Sequence, residues 1–502
     1  MKKTSIALLA VPLVFAPSTG VSVPNPAVPG DPPPALLEGE KRGGLFNATA
    51  LSVRSEEPAL PNPLVHLNGF DPASDEAVLS ALNARGYDAL FPPPQNSEVY
   101  PVIQADLLAT EDEKKGSELL FWQAPVPTST GASSPFEHYA EMARYSQMHR
   151  KGPLSYSFRL SSSAIYDDNI LLASSDKRSD MHLAIGPALR VLMGGDDSRL
   201  RLGANYTGMA SWFMRTPAQR AYEQNTGLDG GWYGSRLKLG LRVGLQRTRA
   251  GSIDAGDRVG RQVYYVGLTS SYLFTGKLSG ELSADVTRAT FDALLGSREY
   301  RAQQYLNYDC TPKLQLGLGA TEGLLRPDGA PDQQYEQALL RVVSQPTAKV
   351  GLSASAGAEH RHFDSGLAST FTPVYNATVS WQATGQTSFS LDGRRRVFSS
   401  ASLGSQNYES TNLTLSAREM LSATVDATLS VGAERADYKA TTNAVTATRR
   451  DDFVFTRASV DWALSRHCSL GLFYEFSKND SKGPQGHPFQ RNRTGVSVSL
   501  SF

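Results

Sequence analysis

The chain has 502 residues, of which 40% are apolar, and its 49 basic side chains balance 49 acidic ones; its mean hydropathy is -0.30. Zero net charge excludes the basic surplus that a nucleic-acid partner requires. Beyond the N-terminal run no stretch approaches the roughly 18 uninterrupted apolar residues of a membrane helix, so any later crossing must be by strands.

Met1-Lys2-Lys3 followed by the apolar run Ile6 to Ala16 has the charged and hydrophobic regions of a signal peptide, taken as residues 1–20. No cysteine follows the run, which argues against a lipoprotein. Residues 21–152 read as a proline-rich, largely disordered periplasmic extension. Pro24 to Pro34 is an extended linker, and short helices are expected over Asp71 to Tyr87 and Phe136 to His149. Its apolar runs are too sparse for an independent core, so a tether is favoured over a plug inserted into a lumen.

From residue 153 the text becomes dyad repeats of about ten residues. Leu237, Leu239, Leu241, Val243 and Leu245 alternate with Arg236, Lys238, Gly240, Arg242 and Gly244, and the same grammar recurs in Leu314 to Thr321, Val350 to Glu359 and Ala423 to Glu434. Alternation alone fits either a sandwich facing a core or a barrel facing lipid. Export by a signal peptide, long and numerous strands, and connections of alternating length decide for an all-β, transmembrane, antiparallel up-and-down barrel. Tight links such as Tyr233-Gly-Ser235, Thr275-Gly-Lys277 and Thr311-Pro-Lys313 mark one end. Longer polar stretches, Asp167 to Asp180, Arg215 to Gln224, Arg249 to Arg258, Lys439 to Asp451 and Lys478 to Pro488, mark the other. Counting them gives about 18 strands, with 16 the next choice. Trp212, Tyr264, Tyr272, Phe274, Trp381, Trp462 and Phe476 fall on the lipid parity near strand ends, as interfacial girdles require. Cys310 and Cys468 lie nine strands apart, nearly opposite in a barrel on the order of 35 Å wide, too far for a disulfide.

The last strand sets Val496, Val498, Leu500 and Phe502 against Gly495, Ser497, Ser499 and Ser501. An amphipathic strand ending on Phe resembles the insertion signal of bacterial outer-membrane barrels. That resemblance implies a Gram-negative outer membrane, contact with its lipid and lipopolysaccharide, and delivery by the barrel-assembly machinery. At the first long connection stands Tyr166-Asp167-Asp168-Asn169-Ile170. Here the chain, over Leu154 to Phe502, resembles the Gram-negative outer-membrane proteins known as putative β-barrel porins, some linked to exopolysaccharide export. The resemblance implies a porin-like conduit for polar solutes or a secreted polysaccharide. The plainer reading of the same residues is an Asx-type turn, and a bound divalent cation is disfavoured because the spacing is not that of a calcium loop.

The lumen face is expected to carry Arg201, Arg236, Arg242, Arg394, Arg396 and Arg457 against Glu281, Asp285, Glu359, Asp392, Asp426 and Asp461, with further bases at Arg159, Arg190 and Arg493 and acids at Glu434 and Glu475. Such rows either filter polar solutes or pair with one another and close the barrel. Arg394-Arg395-Arg396 is the densest basic run, fitting a glycan contact or, more simply, ion pairing. A closed structural or receptor barrel is the first alternative, and a lipid- or protein-hydrolysing barrel the second. Ser353 and Ser355 face the lumen while His360 takes the lipid parity, and no Gly-x-Ser-x-Gly or His-Glu-x-x-His motif occurs. The sequence therefore nominates no catalytic residue, no metal ligand, no cofactor and no nucleic-acid partner.

Overall fold

The computed structural model describes residues 149–502 apart from 195–197, 447–448 and 484, with the side chains of 149–151 not described. The signal peptide, the proline-rich extension and both expected helices lie outside the described residues, except that His149 opens a short strand. Chain order is β1 (His149–Lys151), β2 (Leu154–Asp167), β3 (Asp180–Met193), β4 (Leu200–Phe213), β5 (Ala221–Tyr233), β6 (Leu237–Ser252), β7 (Asp257–Leu273), β8 (Leu278–Phe291), β9 (Ser297–Thr311) and β10 (Leu314–Pro327). It continues through β11 (Gln333–Thr347), β12 (Val350–Phe363), β13 (Thr370–Gln382), β14 (Thr387–Ser399), β15 (Gln406–Met420), β16 (Val425–Ala440), β17 (Arg450–Ser465), β18 (Cys468–Lys482) and β19 (Phe489–Ser501). No described helix is long and apolar enough to cross a membrane.

Strands β2 to β19 form a closed, 18-strand antiparallel barrel, each paired with its sequence neighbours and β19 pairing back onto β2. At the seam Phe502 and Phe158 exchange both backbone hydrogen bonds, at 3.1 and 2.8 Å. β1 pairs with β2 below that point, from His149↔Tyr156 to Lys151↔Leu154. Following the registers once round the wall returns to β2 about 22 residues from the starting level, which implies strands tilted by roughly 40° and a backbone diameter on the order of 35 Å.

The period-two pattern sorts the wall as the sequence suggests. Leu239, Leu241 and Val243 are exposed outward, while Gly240, Arg242 and Gly244 between them are buried on the lumen side. Val496, Val498, Leu500 and Phe502 likewise face out, against buried Ser497 and Ser499. Trp212, Tyr264, Trp381 and Trp462 are exposed on the outer face, and both cysteines are free thiols.

One end of the barrel carries short turns, with only residues 312–313, 348–349 and 466–467 at its tightest links; the other carries the longer connections. The long connections are shorter than their polarity suggests. β6 and β7 stay in register to Ser252↔Asp257, so the polar stretch from Arg249 to Arg258 is mostly ladder with residues 253–256 as its tip. Residues 214–220 and 483–488 are shortened in the same way. Polarity marks where the wall leaves lipid, whereas the backbone ladder continues beyond it.

Candidate functional site: a charged lumen and its inward-folded hairpins

Most of the expected lumen acids have found a basic partner, on an adjacent strand, on their own strand or further round the wall. Asp285 of β8 takes Arg301 of β9 at 3.0 Å, and Glu281 takes Arg341 of β11 at 2.8 Å while accepting from Asn307 at 2.8 Å. Glu359 pairs with Arg361 at 2.7 Å, and Asp426 with Arg418 at 3.0 Å. Glu475 lies between Arg493 and Arg457, the latter at 3.5 Å. Asp392 accepts from the Thr378 hydroxyl at 2.7 Å, and Asp461 approaches the Gly471 backbone on the next strand. Arg201 is buried and its guanidinium lies 4.7 Å over the Tyr233 ring; Arg242 and Arg394 are buried in the walls of β6 and β14. Arg236 is the exception among the candidates, exposed in the turn between β5 and β6 because the ladder starts only at Leu237. Partners that sequence reading missed are Arg301, Arg341, Arg361, Arg418, Arg491 and Glu299. Parity places them inward, but which acid each meets depends on register.

The Tyr166 to Ile170 segment sits at the loop end of the seam. Tyr166 faces outward, while Asp167, Asn169 and Ile170 are wholly buried. Asp167 accepts from Arg491 of β19, whose Nε lies 2.9 Å from Oδ2, and also from the Asn169 backbone at 3.0 Å. Asp168 accepts from the backbone N of Asn492 at 2.7 Å and from its side-chain amide at 2.6 Å. Asn169 donates to Ala173 and Gln490 carbonyls at 2.8 and 3.0 Å. The Asx turn expected from the sequence is present, and the surrounding bonds sew the first barrel strand to the last.

At the loop end the wall does not stay on its circle. β13 and β14 are in register only from Gln382↔Ser388 to Tyr375↔Arg395; above that point β14 pairs with β15 alone. Pro373, which has no N–H to donate, lies in the part of β13 that keeps β12 but has lost β14, as proline at a strand edge does. The outer ends of β14, parted from β13, and of its partner β15 make contacts that strands held on the circle could not reach. Gln333 of β11 and Asn407 of β15 exchange amide hydrogen bonds at 3.1 and 2.7 Å, both side chains being at most 2% exposed. Strands four apart in a barrel of this width are separated by roughly 20 Å, more than two such side chains span. Arg396 of β14 reaches Glu299 of β9 at 3.1 Å, where Tyr335 also donates at 2.5 Å. Thr372 of β13 donates to Glu409 of β15 at 3.3 Å, and Arg395 pairs with Glu409 at 2.6 Å. The β14–β15 hairpin therefore leans into the lumen with one face against the inner side of β11 to β13.

Its tip meets a second hairpin coming from the far wall. Asp254, at the tip between β6 and β7, accepts from Ser400 Oγ at 2.8 Å, Ala401 N at 2.7 Å, Ser402 Oγ at 3.0 Å and Tyr438 OH at 2.9 Å. Arg449 donates to the Asp254 and Ile253 carbonyls at 2.8 and 2.7 Å and pairs with Asp451 at 2.7 Å. Beside this hub Leu172, Ile253, Phe453 and Phe489 form an apolar cluster drawn from four points on the rim. Nothing local in Ile253-Asp254 announces this role, because every partner is far away in sequence.

The candidates for hydrolysis do not assemble. His360 stacks on Phe371 on the outer face, with ring centroids 4.6 Å apart, while Ser353 and Ser355 are buried on the lumen side. His362 instead meets Ser369, at 3.4 Å in an exposed position.

A closed barrel with an apolar outer band, a charged lumen and hairpins crossing it defines a porin-like outer-membrane barrel. Residues 348–502 match the family described as putative beta-barrel porin 2, so the resemblance to that family holds over β12 to β19. The Tyr166 to Ile170 segment that suggested it lies outside the matched residues. No curated protein matches the chain. Among solved structures, the chain is similar to Pseudomonas aeruginosa OpdO at 12% identity and TM-score 0.40, covering 70% of this chain and 97% of that one. Acinetobacter baumannii OccAB3 gives 11% and 0.40 over 69% and 99%, and Pseudomonas aeruginosa OpdK gives 14% and 0.39 over 69% and 99%. At these scores the likeness says nothing of solute or opening.

Proposed function

We propose that the barrel is a conduit for polar solutes across the outer membrane, with its turn end and the segment 21–152 in the periplasm. The observation that carries this reading is the combination of a wall on the order of 35 Å across with a lumen lined by paired charges. What crosses such a lumen is a pair of hairpins joined to each other by polar bonds at Asp254, beside a small apolar cluster at the rim. Small polar solutes are favoured over a secreted polysaccharide, because the hairpins leave an extended polymer no straight path. Arg395 and Arg396 are engaged in ion pairs, which favours the pairing role of that basic run over a glycan contact.

Single-channel recording in planar bilayers tests the proposal, on the full chain and on a chain lacking 21–152. Stable conductance steps in both support an open conduit with a tethering extension, and steps only after truncation make the extension a plug. Silence in every form, including one carrying Asp254→Ala, sinks the conduit and favours a closed barrel.

A further inference from the structure

Two features of the loop end belong together. β13 and β14 part above Tyr375↔Arg395, although each continues as strand, β13 up to Thr370 and β14 to Ser399. Both edges therefore carry backbone groups that would extend the same ladder. The β14–β15 hairpin, parted from β13 but still paired with β16 along β15, is also held inside by polar bonds converging on Asp254.

We propose that the outer ends of β14 and β15 form a flap, hinged where the β13–β14 ladder stops and latched to the β6–β7 tip through Asp254, which opens the lumen by swinging back into register with β13.

Several observations support a hinged element over a fixed fold. The ladder below the parting point is continuous, and extending its register would set Phe371 opposite Ser399 and Val374 opposite Arg396. Pro373 removes one donor from that extension, so the re-zipped state is weaker than an ordinary strand pair and leaves the parted state accessible. Gly393 lies on β14 just below the parting point, a small residue of the kind that absorbs a change of strand direction. The bonds that hold the flap inward are polar: Asp254 with Ser400, Ala401, Ser402 and Tyr438, Gln333 with Asn407, Arg396 with Glu299, and the Leu295 N–H donating to the Ala401 carbonyl at 2.9 Å. Water or a polar solute can replace each of them, whereas a packed apolar core would not exchange in this way. Tyr438 belongs to β16, which stays paired with β15 up to Gln406↔Ala440 and with β17 up to Asp437↔Arg450, so the flap is tied through β15 and β16 to the wall while its β14 edge is parted from β13.

The inference rests on the conduit reading for its purpose, but its first test does not need conductance. Phe371→Cys and Ser399→Cys are introduced together in the full chain after Cys310 and Cys468 are replaced by serine, and the protein is refolded into phosphatidylcholine vesicles. These two cysteines become cross-strand partners only when β14 rejoins β13. Disulfide formation on mild oxidation, followed by mass spectrometry of the linked peptides, is expected to be slow with Asp254 intact and about tenfold or more faster when Asp254→Ala is added. Should Asp254→Ala fail to fold, Ser402→Ala with Tyr438→Phe removes two latch hydroxyls and keeps the carboxylate. No crosslink in the unlatched protein, or the same rate with and without the latch, overturns the flap. Planar-bilayer recording of the oxidised protein then separates the two readings. A crosslinked barrel that conducts no more than the unlinked, conducting protein overturns the flap as the element that opens the lumen, whereas silence before and after crosslinking refutes the conduit and leaves the hinge motion standing.

Discussion

The bond between Asp167 and Arg491 offers the sharpest test of what the Tyr166 to Ile170 segment does. Their side chains are 0% and 2% exposed, and the pair joins the top of β2 to β19 across the barrel seam. Arg491→Met removes the cation and leaves Asp167 with the Asn169 N–H at 3.0 Å as its remaining short-range donor in the segment. Removing one partner of a buried pair destabilises by roughly 3–5 kcal/mol, because a charge is left without compensation. The described barrel has about 350 residues, and at about 2.1 cal/mol/K of unfolding entropy per residue that loss lowers Tm by about 4–7 °C. The loss of the compact, fast-migrating band on unheated gels, followed against temperature in detergent, reads this shift directly. The double variant Asp167→Asn with Arg491→Met should recover most of it, since replacing both members of a buried pair is often close to neutral. If the single variant melts with the wild type, or the double is worse than the single, the seam does not depend on this pair and the segment has another role.

Deleting Phe502 removes the residue whose backbone closes both hydrogen bonds with Phe158, and the expected result is a lower folded fraction in the outer membrane with total synthesis unchanged. Gly319→Val drives a methyl-bearing carbon into the Tyr305 ring, which is fixed between Leu339, Val374 and the Arg341 guanidinium 3.6 Å above it; stability should drop by about 1–3 kcal/mol, while Gly385→Val, with open space around it, serves as the neutral control. The His487 ring lies against Gly256 at the β6–β7 tip; burial first, and then the Arg449 charge, hold its pKa below the usual 6.5, opposed by Asp451 and Asp254. The docked loop therefore prefers neutral imidazole, so this contact is fully present above about pH 6.5 and weakens as pH falls toward the depressed value. Hydrogen exchange of the Gln485, Gly486 and His487 amides should accelerate between pH 7.5 and 5 after correction for intrinsic rates, and His487→Gln should abolish that dependence; an unchanged profile in the variant refutes it.

Much of this protein is written in one dimension because a membrane barrel has only two kinds of surface. Alternation in Leu237 to Leu245 or Arg493 to Phe502 reports which side chains meet lipid and which meet the lumen, and that signal needs nothing beyond the period of a strand. Counting turns then gives the number of strands, and the parity of Glu281, Asp285 or Asp392 gives their direction. Polarity was a poor guide only where strands outrun the apolar band, as in Arg249 to Arg258, since residues above the lipid are polar whether or not the ladder continues.

The sequence by itself therefore determined the class of fold, the strand number and the inner and outer faces, because each follows from local periodicity. Tertiary structure alone decided which acid meets which arginine, that Asp167 is used to sew the seam, and that β14 leaves β13 to join a latch on Asp254. Those outcomes depend on accumulated register and on the distance across the barrel. Asp254 and Ser400 are brought together from nearly opposite walls, so no spacing within the chain encodes their meeting.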